Sequence, residues 1–173
     1  MNIVARFREW VRLERKRTDS SLTPEELKRW TLLKRQLGRN FSPEISDDRS
    51  DARHSVRIPT NVAVSLSSTG ELRECLMTNL SRGGLFLATE HVVEIGTRLN
   101  LLLQVEGSEP LEIPVEVVSH NLGATLGSFQ PGMGMRFLEM APDVQKGVDD
   151  LYERAGIRAV GANTQPETRP EKK

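Results

Sequence analysis

A single cysteine, Cys75, stands in the 173 residues of the chain. One cysteine excludes an intramolecular disulfide framework and any zinc site built from several thiolates. Histidine is almost as scarce. His54, His91 and His120 are scattered and make no metal-ligand spacing, so no metal is expected. No apolar run approaches the roughly 20 residues that span a bilayer. The stretch MNIVARFREWVRLERK has neither the continuous apolar region nor the small-residue cleavage site of a secretory signal, and a cytoplasmic protein is the expectation. Catalytic patterns are missing too: there is no nucleophile elbow and no GxxxxGK[ST] loop. Asp51, His54 and Ser55 can be paired on paper, but neighbours in an extended segment point to opposite faces and form no triad. An enzyme is therefore not expected. No recognised DNA- or RNA-binding motif is present, so a nucleic-acid partner is not expected either.

What is present begins with a hidden asymmetry of charge. The chain carries 24 basic and 24 acidic residues, yet residues 1–40 hold 11 Lys/Arg against 5 Asp/Glu and the rest hold 13 against 19. A basic front segment can meet an acidic partner, an anionic surface or the chain's own acidic body. The length suits one ordinary domain with appendages.

The front segment reads as a helical hairpin over residues 1–40. Ile3, Phe7, Trp10 and Val11 recur at helical spacing, and TDSS at 18–21 breaks the pattern. Thr23, Pro24 and Glu26 then supply a cap, a first-turn proline and a capping-box glutamate, with Leu22 and Leu27 placed for a hydrophobic staple. Leu27, Trp30, Leu33 and Leu37 line one face, and Gly38 offers a stop. Such a hairpin packs its apolar stripe internally or onto the downstream domain, or it docks a partner or a second copy of the chain as a homodimer. A basic helix lying on a membrane surface is the least favoured reading. Residues 41–52 are polar and acidic and read as a linker.

From residue 53 the hydrophobic period changes to two. Val62, Val64 and Leu66 form a first strand, STG at 68–70 a turn, residues 71–80 a second strand and GLFLAT at 84–89 a third. Leu99, Leu101, Leu103 and Val105 mark a fourth, and Leu111, Ile113, Val115 and Val117 a fifth, in which Pro114 predicts an edge or a bulge. The sixth runs over Met133–Met140, and residues 141–156 read as a closing helix that Gly147 weakens. The tail, 157–173, is polar and reads as disordered. Six short strands at this spacing predict a mainly β fold, a small closed or nearly closed antiparallel barrel. A barrel of this size fills its interior with side chains, so a binding site belongs on its outer face or rim.

Two stretches carry candidate chemistry. In RHSVR, Arg53 and Arg57 stand about 13 Å apart in an extended chain and point the same way. Arginine forks suit phosphate, and a guanidinium or the ring of His54 can stack on a base. Without further context they are solvated arginines leading into a strand. In NLSRGG, Asn79 and Ser81 offer donors and acceptors, and Gly83 and Gly84 permit positive φ and a close backbone approach. By itself this stretch reads as a hairpin turn. Arg82 is either a third cation of the site or a surface charge.

In their order and spacing these stretches resemble the RxxxR and (D/N)xSxxG motifs of the PilZ family of cyclic di-GMP receptors. The resemblance covers about residues 49–155. It implies a six-stranded PilZ-type β-barrel with a C-terminal helix over residues 53–156, binding cyclic di-GMP on its outer surface, commonly as an intercalated dimer of the ligand. It further implies that Arg53 and Arg57 clamp phosphate and stack on guanine, that Asn79 and Ser81 bond the guanine edge, and that Gly84 shapes the turn. Arg49 lies just upstream and could modulate ligand number. The resemblance points to a receptor in motility or exopolysaccharide control, in which ligand folds the linker onto the barrel. In the competing reading the barrel is a ligand-independent scaffold and the helices carry the function.

Overall fold

The computed structural model describes residues 2–41, 55–68, 71–104, 109–122 and 130–162. The chain divides into two compact units, one of residues 1–54 with 153–173 and the other of Ser55–Tyr152.

The first unit contains α1 (Ile3–Asp19) and α2 (Pro24–Phe41). The predicted capping box forms: the Thr23 backbone N–H donates to Glu26 Oε2 at 2.9 Å and the Glu26 N–H donates to Thr23 Oγ1 at 3.3 Å. Phe7, Trp10, Val11, Leu13, Leu33, Leu37 and Phe41 are buried, and Phe7 meets the rings of both Trp10 and Phe41. Polar side chains also join the two helices. Arg29 grips Glu9 with two hydrogen bonds, Lys16 grips Glu26, and Trp30 donates its indole N–H to the buried Glu14. Two expectations fail. Leu27 is half exposed rather than on the packed face. Gly38 does not stop α2, which continues to the buried Phe41, so the first residue assigned to the linker is helical.

The second unit is a closed antiparallel barrel of six strands: β1 (Ile58–Ser68), β2 (Glu71–Ser81), β3 (Gly84–Ala88), β4 (Arg98–Leu103), β5 (Leu111–Asn121) and β6 (Gly132–Phe137). Its order is β1-β2-β3-β6-β5-β4, with β4 pairing back to β1 through Leu66 and Leu101. The interior is filled by alternating apolar residues, among them Leu66, Leu101, Ile113, Val115 and Val117. Each such side chain contributes about 1.5–3 kcal/mol by leaving water.

Pro114 marks neither an edge nor a bulge. It pairs with Asn100 on β4, and its carbonyl accepts from Leu138 N–H just past the end of β6. The N and C=O of a strand residue face the same side, so the missing N–H falls beyond the β6 ladder and forfeits little. The sixth strand ends at Phe137 rather than Met140.

The last helix, α3 (Pro142–Ala162), outruns its predicted end. Within the barrel unit Val148, Leu151 and Tyr152 are buried, and Gly147 packs closely on Leu111, whose methyl lies 2.7 Å from where a Cβ would stand. Within the helical unit Gly156 receives the Phe7 ring, 2.0 Å from where a Cβ would be, and Val160 is buried. Residues 157–162, expected as a disordered tail, are therefore helix. Among the described residues no helix is long and apolar enough to cross a membrane, and no cluster of three or more metal-ligating side chains occurs.

Candidate functional site

Arg57 sits between two fixed residues. Val56 before it is buried and its carbonyl accepts from the Tyr152 hydroxyl at 3.0 Å. Ile58 after it is fully buried and pairs with Leu80. With both neighbours anchored inward, the Arg57 side chain is directed outward and is exposed.

Asn79 owes its position to a break in the β2 ladder. Opposite β3 the register jumps from Met77 with Leu87 to Asn79 with Phe86, leaving Thr78 as an extra residue. Strict alternation from the buried Met77 would send Asn79 into the barrel. The bulge reverses the parity: Leu80 is buried, and Asn79 and Ser81 share the outer face. The Thr60 hydroxyl bonds the Met77 carbonyl at 2.9 Å and so occupies an acceptor beside the disturbed ladder. A second bulge, at Val118 on β5, likewise leaves Ser119 exposed after the buried Val117.

The turn from β2 to β3 is held from within. Ser81 Oγ donates to the Gly84 carbonyl at 2.9 Å, and the Gly83 carbonyl accepts from Phe137 N–H at 3.0 Å. With its proton engaged there, the Ser81 hydroxyl retains acceptor capacity for a ligand N–H. Neither glycine serves by positive φ. Among the described glycines only Gly96 adopts it. Gly84 is needed because a Cβ would stand 2.0 Å from the Met135 carbonyl oxygen, whereas a Cβ on Gly83 would meet nothing within 4 Å.

Arg57, Asn79, Ser81, Gly83 and Gly84 line one groove on the outside of the barrel. Phe86, Val118, Ser119, Gly134 and Arg136 complete it. Among the described residues no side chain pairs with the Arg57 guanidinium or the Asn79 amide, so both are available to a ligand. Arg82 is neither a cation of this groove nor a free surface charge. It turns away and pairs with Asp149 of α3 at 3.3 Å, with only 16% of its side chain exposed. Arg49, Arg53 and His54 lie outside the described residues.

Sequence reasoning missed Ser119, Gly134 and Arg136. The signal for Arg136 was a lone cation in the apolar strand GMGMRF, on the face opposite Met135. Ser119 gave none, because the β5 bulge that exposes it depends on pairing with β6.

A family model described as the PilZ domain matches residues 51–154. The chain belongs to the PilZ family. The barrel order and the final helix are thus those of a PilZ protein. No curated protein matches the chain. Among solved structures, the PilZ domain of YcgR from Escherichia coli with c-di-GMP is similar at 15% identity and a TM-score of 0.55, covering 66% of this chain and 99% of that one. The Bacillus subtilis inhibitor of motility, MotI/DgrA, is similar at 20% identity and a TM-score of 0.50, covering 62% of this chain and 52% of that one. The chain thus spans about half the length of MotI. At such identities the likeness is one of fold.

Proposed function

We propose that this PilZ protein is a cyclic di-GMP receptor that acts by binding rather than by catalysis. The observation that carries the reading is the meeting, in one groove on the barrel's exterior, of Arg57 and Asn79, neither paired among the described residues, with the Ser81 hydroxyl and the side-chain-free Gly84. Arg57 supplies a fork for phosphate and a plane for stacking on guanine. Asn79 both donates to and accepts from the guanine edge, and Ser81 accepts from a guanine N–H. Arg53, the other arginine of the RxxxR pattern, would join Arg57 on the same dianion.

The fold shared with the c-di-GMP complex of YcgR supports the ligand class. The fold shared with an inhibitor of motility makes motility control a natural setting, with exopolysaccharide control the other. In this reading ligand neutralises the arginines, draws the linker to the barrel and alters contact with a downstream protein. The scaffold alternative is weakened by the burial of Phe7, Trp10, Leu33 and Leu37, which leaves less of the hairpin's stripe for a partner or a second copy.

Calorimetric titration of the full chain with cyclic di-GMP tests the reading. Uptake by the intact protein and its loss in Arg57→Ala is the expected result; equal uptake by both, or none by the intact, folded protein, contradicts it.

A further inference from the structure

Across the barrel's outer face a row of directly paired residues runs at right angles to the strands. Ser81 on β2 pairs with Gly84 on β3, and Gly84 with Arg136 on β6. Arg136 pairs in turn with Glu116 on β5, and Glu116 with Arg98 on β4. Arg57 stands at the other end of the row, one residue before Ile58 and its partner Leu80. With neighbouring strands about 4.8 Å apart, the backbones of Arg57 and Arg136 are about 14 Å apart along the sheet. Between them lie a serine and a glycine, so the row is a trough with a guanidinium on each wall.

We propose that Arg136 is a ligand-contacting residue, a second guanidinium that grips the cyclic dinucleotide from the wall opposite Arg57. The inference rests on the function proposed above and adds a residue outside both sequence motifs. Arg136 donates one hydrogen bond to Glu116, at 2.8 Å, and 58% of its side chain is exposed. A guanidinium carries five N–H donors, so most of its capacity remains. Glu116 is also shared with Arg98, at 3.4 Å, which leaves two cations to one carboxylate and a net positive charge at this wall. An exposed cross-strand ion pair stabilises a sheet by less than about 1 kcal/mol, so holding the strands together accounts for little of the arrangement. A cyclic dinucleotide presents two phosphodiesters on opposite sides of its ring, and one arginine on each wall matches two separated anions. Glu116 offsets only part of the positive charge on this wall.

Calorimetric titration of the full chain with cyclic di-GMP tests this, using the intact protein, Arg57→Ala, Arg136→Ala, Arg136→Lys and Glu116→Gln, each checked for an intact melting transition. Loss of a charge-assisted contact predicts binding about ten- to a hundredfold weaker in Arg136→Ala. Arg136→Lys, which keeps the charge but loses the fork, is expected between that variant and the intact protein. Glu116→Gln breaks the same ion pair but leaves the guanidinium, and is expected to bind as tightly as the intact protein. Unchanged affinity in Arg136→Ala beside lost affinity in Arg57→Ala would overturn the role of Arg136 and leave the receptor reading standing. Equal losses in Glu116→Gln and Arg136→Ala would also overturn it, by assigning the effect to the ion pair. Failure of the intact protein to take up ligand would overturn both.

Discussion

Gly84 on β3 approaches β6 so closely that a Cβ added to it would stand 2.0 Å from the carbonyl oxygen of Met135. The obstructing atom is backbone, fixed in the β3–β6 ladder, and cannot rotate aside. Gly84→Ala therefore has to part the strands beneath the groove, and a loss of about 3 kcal/mol is expected from chemical denaturation. Gly83→Ala, one residue earlier, meets open space at an ordinary φ and should fall within about 0.5 kcal/mol of the parent. Equal effects at the two glycines would contradict this division.

Arg82 lies inside the NLSRGG turn yet belongs to the packing of α3. Its partner Asp149 is also bonded by Gln145, and among the described residues the buried Arg82 Nη1 atom has no hydrogen-bond partner. Arg82→Ala is expected to lower stability by about 1–3 kcal/mol through loss of a partly buried, charged hydrogen bond. Ligand affinity should fall far less than in Arg57→Ala. An affinity loss matching that of Arg57→Ala would place the Arg82 guanidinium on the ligand.

Tyr152 holds the carbonyl of Val56, directly before Arg57. Tyr152→Phe keeps the ring in its buried place and removes only the hydroxyl. The expected stability loss is about 1–2 kcal/mol, the consequence of leaving a buried acceptor without this donor. Ligand affinity should fall with it, because the backbone that aims Arg57 is released. Unaltered affinity would show that Arg57 is positioned without this bond.

Much of the architecture was legible because period-two alternation is a direct record of which face is buried. Leu99, Leu101 and Leu103, and Ile113, Val115 and Val117, were read correctly from that pattern alone. What escaped depends on partners distant in the chain. The bulge at Thr78 that turns Asn79 outward is defined only opposite β3, and the one at Val118 only opposite β6. Arg82 reads as a surface charge until α3 brings Asp149 to it. Gly84 reads in the sequence as a point of backbone freedom or close approach to a ligand, whereas excluded volume against β6 is what requires a glycine there. The last turns of α3 were missed because Gly156 and Gly161 lower helix propensity there, while the burial of Val160 and the fit of Phe7 on Gly156 overrule it.

The helical hairpin should be sensitive to acid. Hydrogen bonds from Arg29 hold the Glu9 carboxyl below the usual carboxylate range, and those from Lys16 and then the Thr23 backbone do the same for Glu26. A carboxylate whose folded pKa is depressed stabilises fully above its unfolded value and loses that contribution as pH falls through the folded one. The stability difference between the parent and Glu9→Gln/Glu26→Gln should therefore shrink as pH drops from about 7 to about 3. Both groups are partly exposed and reached by solvent, so the difference should be modest and should diminish with added salt. A difference independent of pH would contradict the assignment.

Amide hydrogen exchange with and without cyclic di-GMP tests the central claim most directly, because it reports where on the barrel the ligand sits. The account predicts slowed exchange at Arg57, across Asn79–Phe86 and at Ser119 and Gly134–Arg136, the two walls and floor of a single groove. Unchanged exchange at these residues under saturating ligand, or protection confined to another face such as that of Cys75 and His91, would contradict it.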